Sequence, residues 1–333
     1  MVPNAEDHAA DRRTPAVAQW PAAEAGTTPD RLRIGLVAEV VVCLPLWIAE
    51  SEGLLAAQGL TVEHHVIGST DGVTDALRAG EVDFALTTPE GVLMDRAAGG
   101  PLRILAGVTN HPPLSLVAQP GCRTVSDLRG RVLGTSSLTE GTRHLVDAVL
   151  AAHGLRHTRD YRFMVVGNHT ERWRLLQDGT LTAALQPLPF DAMATDAGLT
   201  CLAQVDRYVP HAAFLSVCAD TTSAACRAGA VGFLRALSEG ARRFHSAPAR
   251  YEQLTAQRLG ITRHYAGTAI TGLVRRDLID PRLHLTTAAL RGTAQLLVRA
   301  GRLDAAHCSP QALATAVDDR WLAAARGERP APR

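Results

Sequence analysis

Arg31-Leu32-Arg33-Ile34-Gly35-Leu36-Val37-Ala38 is a short apolar run of the kind that forms a buried strand. Leu44 to Ala57 behind it carries a helical apolar face, and Leu60 to Ile67 is a second β-rich run with a polar break at His64-His65. A strand, a helix and a strand in this order make a parallel pair with its crossover helix. The rhythm continues outward. Gly72 to Ala79 and Pro89 to Ala98 read as helices, and Val82 to Leu86 and Leu102 to Val108 as strands.

The same order then recurs. Arg131 to Gly134, Phe163 to Val166 and Leu181 to Leu185 read as strands; Thr142 to His153, Thr170 to Asp178 and Phe190 to Ala197 read as helices. Val66-Ile67-Gly68 is matched 99 residues later by Val165-Val166-Gly167. At the same offset Leu77 faces Leu176, Gly80 faces Gly179, Val82 faces Leu181, Leu86 faces Leu185 and Gly35 faces Gly134. The fold class is therefore α/β, with two similar Rossmann-like lobes. Two extended segments, Leu114 to Gln119 and Ala212 to Cys218, are the crossover strands that join them. Lobe 1 is expected over 31–115, lobe 2 over 116–212, and a return to lobe 1 with C-terminal helices over 213–328. Those helices are Cys226 to Phe244, Ala249 to Leu259, Thr286 to Ala300 and Pro310 to Ala325.

The 333 residues suit about two domains at roughly 150 residues each. With 46% hydrophobic and 20% charged residues the chain is globular, not fibrous. Its formal charge of +1 gives no electrostatic footprint for nucleic acid or anionic lipid. All 34 basic residues are arginine. That excludes Schiff-base chemistry and a phosphate-binding P-loop, both of which need lysine. Residues 1–30 are rich in Ala, Pro, Thr and charge, and read as a disordered tail without the apolar core of a signal. As the sequence stands the expected location is cytoplasmic; a different start would change that to the periplasm or exterior. No apolar run is long enough to insert in a membrane. None of the six cysteines forms a C-x-x-C pair. His64 and His65 point to opposite faces of a strand, so they do not form a metal pair, and no metal or cofactor is expected.

In open α/β sheets ligands bind beyond the carboxyl ends of the strands, and between two such lobes lies a cleft. Lobe 1 offers Glu39, Cys43 and Pro45, then Ser69 and Thr70, then Thr87, Thr88 and Glu90. Lobe 2 offers Ser136, Ser137 and Thr139, then Asn168 and His169, then Gln186. The run Thr135 to Thr139 precedes a helix, where hydroxyls and free N–H groups either hold an anion or simply cap the helix. Arg143 adds a charge there or points to solvent. Cys43 is either a thiol activated at a helix start or a core residue continuing Val40-Val41-Val42. His169 is a general acid/base, a hydrogen-bonding ligand residue or a solvated loop residue.

Pro45-Leu46-Trp47-Ile48-Ala49-Glu50-Ser51-Glu52-Gly53-Leu54-Leu55, followed by Gly59-Leu60-Thr61-Val62-Glu63, resembles the first helix and second strand of type II periplasmic binding proteins. Leu77-Arg78-Ala79-Gly80-Glu81-Val82-Asp83-Phe84-Ala85, Asp127-Leu128-Arg129-Gly130-Arg131-Val132-Leu133-Gly134 and the Gly179 to Leu185 segment agree, over about residues 31–300. The subgroup is the SsuA-like one, which also includes thiamine-pyrimidine-synthase-like proteins. The resemblance implies a hinged ABC-transporter solute-binding protein that closes on a small anionic sulfonate-, carboxylate- or pyrimidine-like molecule. It also implies a permease partner if the protein is exported, and a monomer.

Three relatives of the fold are enzymes. The pyrimidine synthases carry a cysteine-rich run and a histidine where this chain has Thr87-Thr88-Pro89-Glu90-Gly91. The aromatic sulfinate desulfinases use a cysteine in the first loop, where Cys43 falls, with a following histidine that Thr70 to Asp75 lacks. The menaquinone-pathway dehydratases share only the architecture. The alternative function is thus a cytoplasmic enzyme, desulfinase- or decarboxylase-like, using cleft residues such as Cys43. A cytoplasmic ligand sensor is a third reading.

Overall fold

The computed structural model describes residues 31–139 and 141–328. The expected tail at 1–30 and the expected frayed end at Pro330 and Pro332 lie outside the described residues. The first lobe runs β1 (Arg31–Leu36), α1 (Leu44–Ser51), β2 (Thr61–Val66), α2 (Thr70–Arg78), β3 (Phe84–Thr87), α3 (Glu90–Ala97) and β4 (Leu102–Thr109). The second runs β5 (Leu114–Ala118), β6 (Val132–Thr135), α4 (Thr142–Ala152), β7 (Arg162–Val165), α5 (His169–Gln177), β8 (Ala183–Pro187), α6 (Phe190–Asp196) and β9 (Thr200–Gln204). The chain returns through β10 (Leu215–Asp220) to α7 (Ala224–Ser246), α8 (Glu252–Leu259), α9 (Arg263–Arg275), α10 (Thr287–Arg299), α11 (Pro310–Thr315) and α12 (Arg320–Arg326).

The two sheets have orders β2-β1-β3-β10-β4 and β7-β6-β8-β5-β9. Each contains one strand contributed by a crossover. β10 runs antiparallel to β3 and β4 in the first sheet, and β5 runs antiparallel to β8 and β9 in the second. The crossovers are therefore inner sheet strands, and the chain passes twice between the lobes.

The 99-residue repeat is structural. Gly35 and Gly134 lie in equivalent strands, and a Cβ would sit 3.1 Å from Val82 at the first and 2.6 Å from Leu181 at the second. Val82 and Leu181 are themselves an offset pair, so each lobe packs an aliphatic side chain from the equivalent position over the equivalent glycine. Gly68 and Gly167 have φ of 90° and 84° and lead into the caps of α2 and α5. A side chain would be strained there.

On the other face of β1, Leu32, Ile34 and Leu36 are fully buried against α1 and α7. Burying each is worth about 1.5–3 kcal/mol. The far face of the first sheet packs on α2, α3 and α10, and the second sheet is covered by α4 on one face and α5 and α6 on the other.

Several element expectations are corrected. The first helix ends at Ser51, because Gly53 turns with φ 69° and only a 3-10 turn follows at Ala56–Gln58. The stretch Pro310 to Ala325 is two helices, because the intervening backbone pairs with the edge of β4. Ile104 N–H donates to Ala316 and Asp318 N–H donates to Ile104, at 2.8 Å each. Two unexpected elements, β9 and α9, are present. α9 buries Ala269, Ile270 and Leu273 in the first lobe's core. It also binds the second lobe through Tyr265 Oη to Asp196 at 2.9 Å, and Arg276 just beyond its end pairs with Asp206 at 2.5 Å. Among the described residues no helix is long and apolar enough to cross a membrane.

Candidate binding cleft

At the carboxyl ends of the parallel strands the lobes enclose a cavity of about 90 Å³. Of the residues expected there, Thr70, Thr88 and Glu90 line it from the first lobe, and Ser136, Asn168 and His169 from the second. Ala212 to Leu215 of the returning crossover and Thr293 of α10 are also part of the wall. A wider, open groove of about 1070 Å³ runs between α6, β9 and α9. It is not at the strand ends, and its Arg276 is paired with Asp206.

Arg172, which the sequence reading missed, is the cation of the cavity. It sits one turn into α5 and is 3% exposed. Nε donates to the Leu185 carbonyl at 3.2 Å and Nη1 to the Gly167 carbonyl at 2.7 Å. Among the described residues no carboxylate pairs with it. Loss of hydration alone pulls its pKa down to about 10, so it stays charged at neutral pH. A sequence signal existed: His169, Arg172 and Leu176 recur at i, i+3 and i+7, so an arginine occupies the buried stripe of a helix.

His169 is the 99-offset counterpart of Thr70; each is the first residue of its helix. It is 6% exposed, lies edge-on to Phe190 at 4.9 Å and has no protein hydrogen bond among the described residues. Burial, reinforced by the charge of Arg172, lowers its pKa to about 3. The ring is therefore neutral, with one N–H to donate. Ser69 and Asn168 are spent as helix caps, Ser69 Oγ accepting from Gly72 N–H and Asn168 Oδ1 from Thr170 N–H.

The loop before α4 does carry anions, but they are the protein's own. Ser137 Oγ and Thr139 Oγ1 donate to Asp71 Oδ2 at 2.9 and 2.8 Å, across the cleft. Gly141 N–H, at the start of α4, donates to Glu90 Oε2 at 2.7 Å. Ser136 Oγ lies 3.3 Å from Thr142 Oγ1. Arg143 turns back on its own helix, with Nε 3.3 Å from Asp147. Glu90 is 4% exposed; burial first, then the charge of Asp71, pushes its carboxyl up to about 7.

The other eight expected residues, Glu39, Cys43, Pro45, Ser69, Thr87, Ser137, Thr139 and Gln186, do not line the cavity wall. Cys43 closes a 3-10 turn, Val41–Cys43, that is wholly buried in the first lobe's core. Burial pushes its thiol up to about 12, so it is neither exposed nor a thiolate at neutral pH. Pro45 is buried at the start of α1. Glu39 is bound to His64 Nδ1 at 2.8 Å. Thr87 and Gln186, another offset pair, are buried in β3 and β8. Their side-chain polar atoms have no hydrogen-bond partner among the described residues.

A family model described as NMT1/THI5 like matches residues 41–250. No match was found among curated protein sequences. Among solved structures, a protein from Bordetella bronchiseptica RB50 is similar with 19% identity and a TM-score of 0.77, over 90% of this chain and 98% of that one. The alkanesulfonate-binding protein SsuA from Xanthomonas axonopodis pv. citri, bound to MOPS, has 19% identity and a TM-score of 0.69, over 88% and 99%. The desulfurization enzyme DszB has 15% identity and a TM-score of 0.63, over 90% and 99%. These likenesses define the fold. Because binding proteins and an enzyme share it, the cleft residues must decide the function.

Proposed function

The chain belongs to the NMT1/THI5-like family, and on that premise we propose that it is a solute-binding protein of the ABC-transporter type that closes on a small anion between its lobes. The observation that carries this reading is Arg172. A buried guanidinium with no carboxylate partner is costly unless a ligand supplies the counter-charge. Two of its nitrogens are spent on carbonyls, which fixes its orientation and leaves Nη2 for an acid group. The neutral ring of His169 adds a second donor. The alkanesulfonate-binding relative points to sulfonates as the first class to test, followed by carboxylates and pyrimidines. Both walls come from one chain, so a monomer suffices, and an ABC permease is the partner when the protein works outside the membrane. The enzyme alternative loses its nucleophile, since the Cys43 thiol is buried and protonated.

The test is a thermal-shift and calorimetry screen of alkanesulfonates, short carboxylates and pyrimidines, with Arg172→Gln alongside. A binding acid raises the melting temperature of the wild type by mass action. Arg172→Gln should lose about a hundredfold in affinity, roughly 2.8 kcal/mol, while keeping its circular dichroism. Full affinity in a folded Arg172→Gln protein overturns the assignment.

A further inference from the structure

The cavity that contains Arg172 also contains a buried acid. Glu90 projects from the first lobe and Arg172 from the second, both line the same cavity, and both are more than nine-tenths buried. Among the described residues neither is ion-paired, with the other or with any third residue. The Glu90 carboxyl has neutral donors beside it, the Gly141 N–H on Oε2 and the Thr88 hydroxyl. When ionised a carboxylate has about four acceptor sites, so part of its capacity is left for a ligand. The chain has no lysine to reach it. The rest of the wall includes Val37, Val40, Leu86 and Leu145, which suit methylene groups. The cavity is small, about 90 Å³, which favours a short scaffold.

We propose that the ligand is a small zwitterion, its acid group meeting Arg172 and its amine meeting Glu90, and that Glu90 is the residue that selects against plain acids. The inference rests on the anion-binding reading above and goes beyond it in naming the opposite end of the ligand. Its physical basis is the asymmetry of buried polar sites. An ammonium gives Glu90 a charge-assisted partner. A plain acid of the same size leaves Glu90 with only its neutral donors and sets another acid group beside it, and sites built for a charged partner reject analogues that lack it.

The test compares matched pairs by calorimetry at near-neutral pH: β-alanine against propionate, and 2-aminoethanesulfonate against ethanesulfonate, with propylamine as the amine alone. The wild type should bind at least one zwitterion at least about tenfold more tightly than its plain partner, and propylamine not at all. Glu90→Gln, whose amide oxygen still accepts from Gly141, should bring that ratio close to one. Equal or tighter binding of the plain acids by the wild type overturns the proposal and leaves the anion reading intact. A wild type that binds none of the five yet is stabilised by a larger acid in the wider screen also overturns only the proposal. No stabilisation by any acid overturns both.

Discussion

The backbone N–H of Gly141, which caps α4 in the second lobe, donates to Oε2 of Glu90, the first residue of α3 in the first lobe, at 2.7 Å. A carboxylate at a helix start gains from the helix dipole. This one lies across the cleft from the helix it caps, so the same bond that satisfies α4 also ties the lobes together. Asp71 makes the neighbouring tie through Ser137 and Thr139.

Asp71→Ala removes two hydrogen bonds to a charged group, each worth about 1.5–3 kcal/mol at most and less where water reaches them. The closed arrangement should weaken relative to the open one. Small-angle scattering is expected to give a larger radius of gyration than the wild type, and affinity for a bound acid should fall about tenfold. An unchanged radius together with unchanged affinity would show that these contacts do not hold the lobes shut.

Glu90 makes stability depend on pH. Its carboxyl is raised from 4.5 to about 7, so between those values the native protein holds more protons than the unfolded chain. Stability therefore falls as pH rises through that window, by up to about 3 kcal/mol. Glu90→Gln carries no such charge. It should match the wild type in urea unfolding below the window and exceed it above. A wild type that gains on the variant as pH rises contradicts the buried-acid account.

His64 acts in a higher window. It lies between Glu39 at 2.8 Å and Glu50 at 3.0 Å. Burial alone lowers its pKa, but the two carboxylates outweigh that and raise it from 6.5 to about 9. The stabilisation is complete below the unfolded value and is lost as pH rises through about 9. Its upper limit is about 3 kcal/mol. His64→Gln should flatten the pH dependence of unfolding between these values, as seen in denaturant midpoints; an identical slope in both proteins would rule the ion pairs out as its source.

Cys43 should stay unlabelled by iodoacetamide in the native protein, while the exposed Cys201 reacts first. Cys43→Ser puts a hydroxyl into the core and should cost about 1–3 kcal/mol. Mass spectrometry of the labelled peptides and a denaturant titration check both points. Fast, ligand-protected labelling at Cys43 would restore the enzyme reading.

The place of the candidate cavity was legible in the chain, its lining only in part. The offset pairs Gly35 and Gly134, Gly68 and Gly167, and Thr70 and His169 locate equivalent strands, turns and helix starts, because each is a local requirement of one strand-to-helix unit. Those units place the cleft loops, and six of the residues read from them line the cavity. Cys43 was misleading because a loop cysteine and a core cysteine look alike until α1 packs the Val41–Cys43 turn inward. Arg172 was overlooked because α5 is rich in arginine and its partners are two carbonyls, of Leu185 and Gly167, that only the fold brings beside it.

Sequence alone determined the two-lobe α/β architecture, since strand and helix periodicity and the repeat are properties of neighbouring residues. Tertiary structure decided which charges are spent and which are left. Asp71 meets Ser137 and Glu90 meets Gly141 across separations of 66 and 51 residues, so the loop read as either an anion holder or a helix cap is met by the protein's own carboxyl groups. Arg172 keeps its charge without a carboxylate partner for the same reason: pairing of buried charges depends on how the lobes face each other, and nothing in the local sequence encodes that.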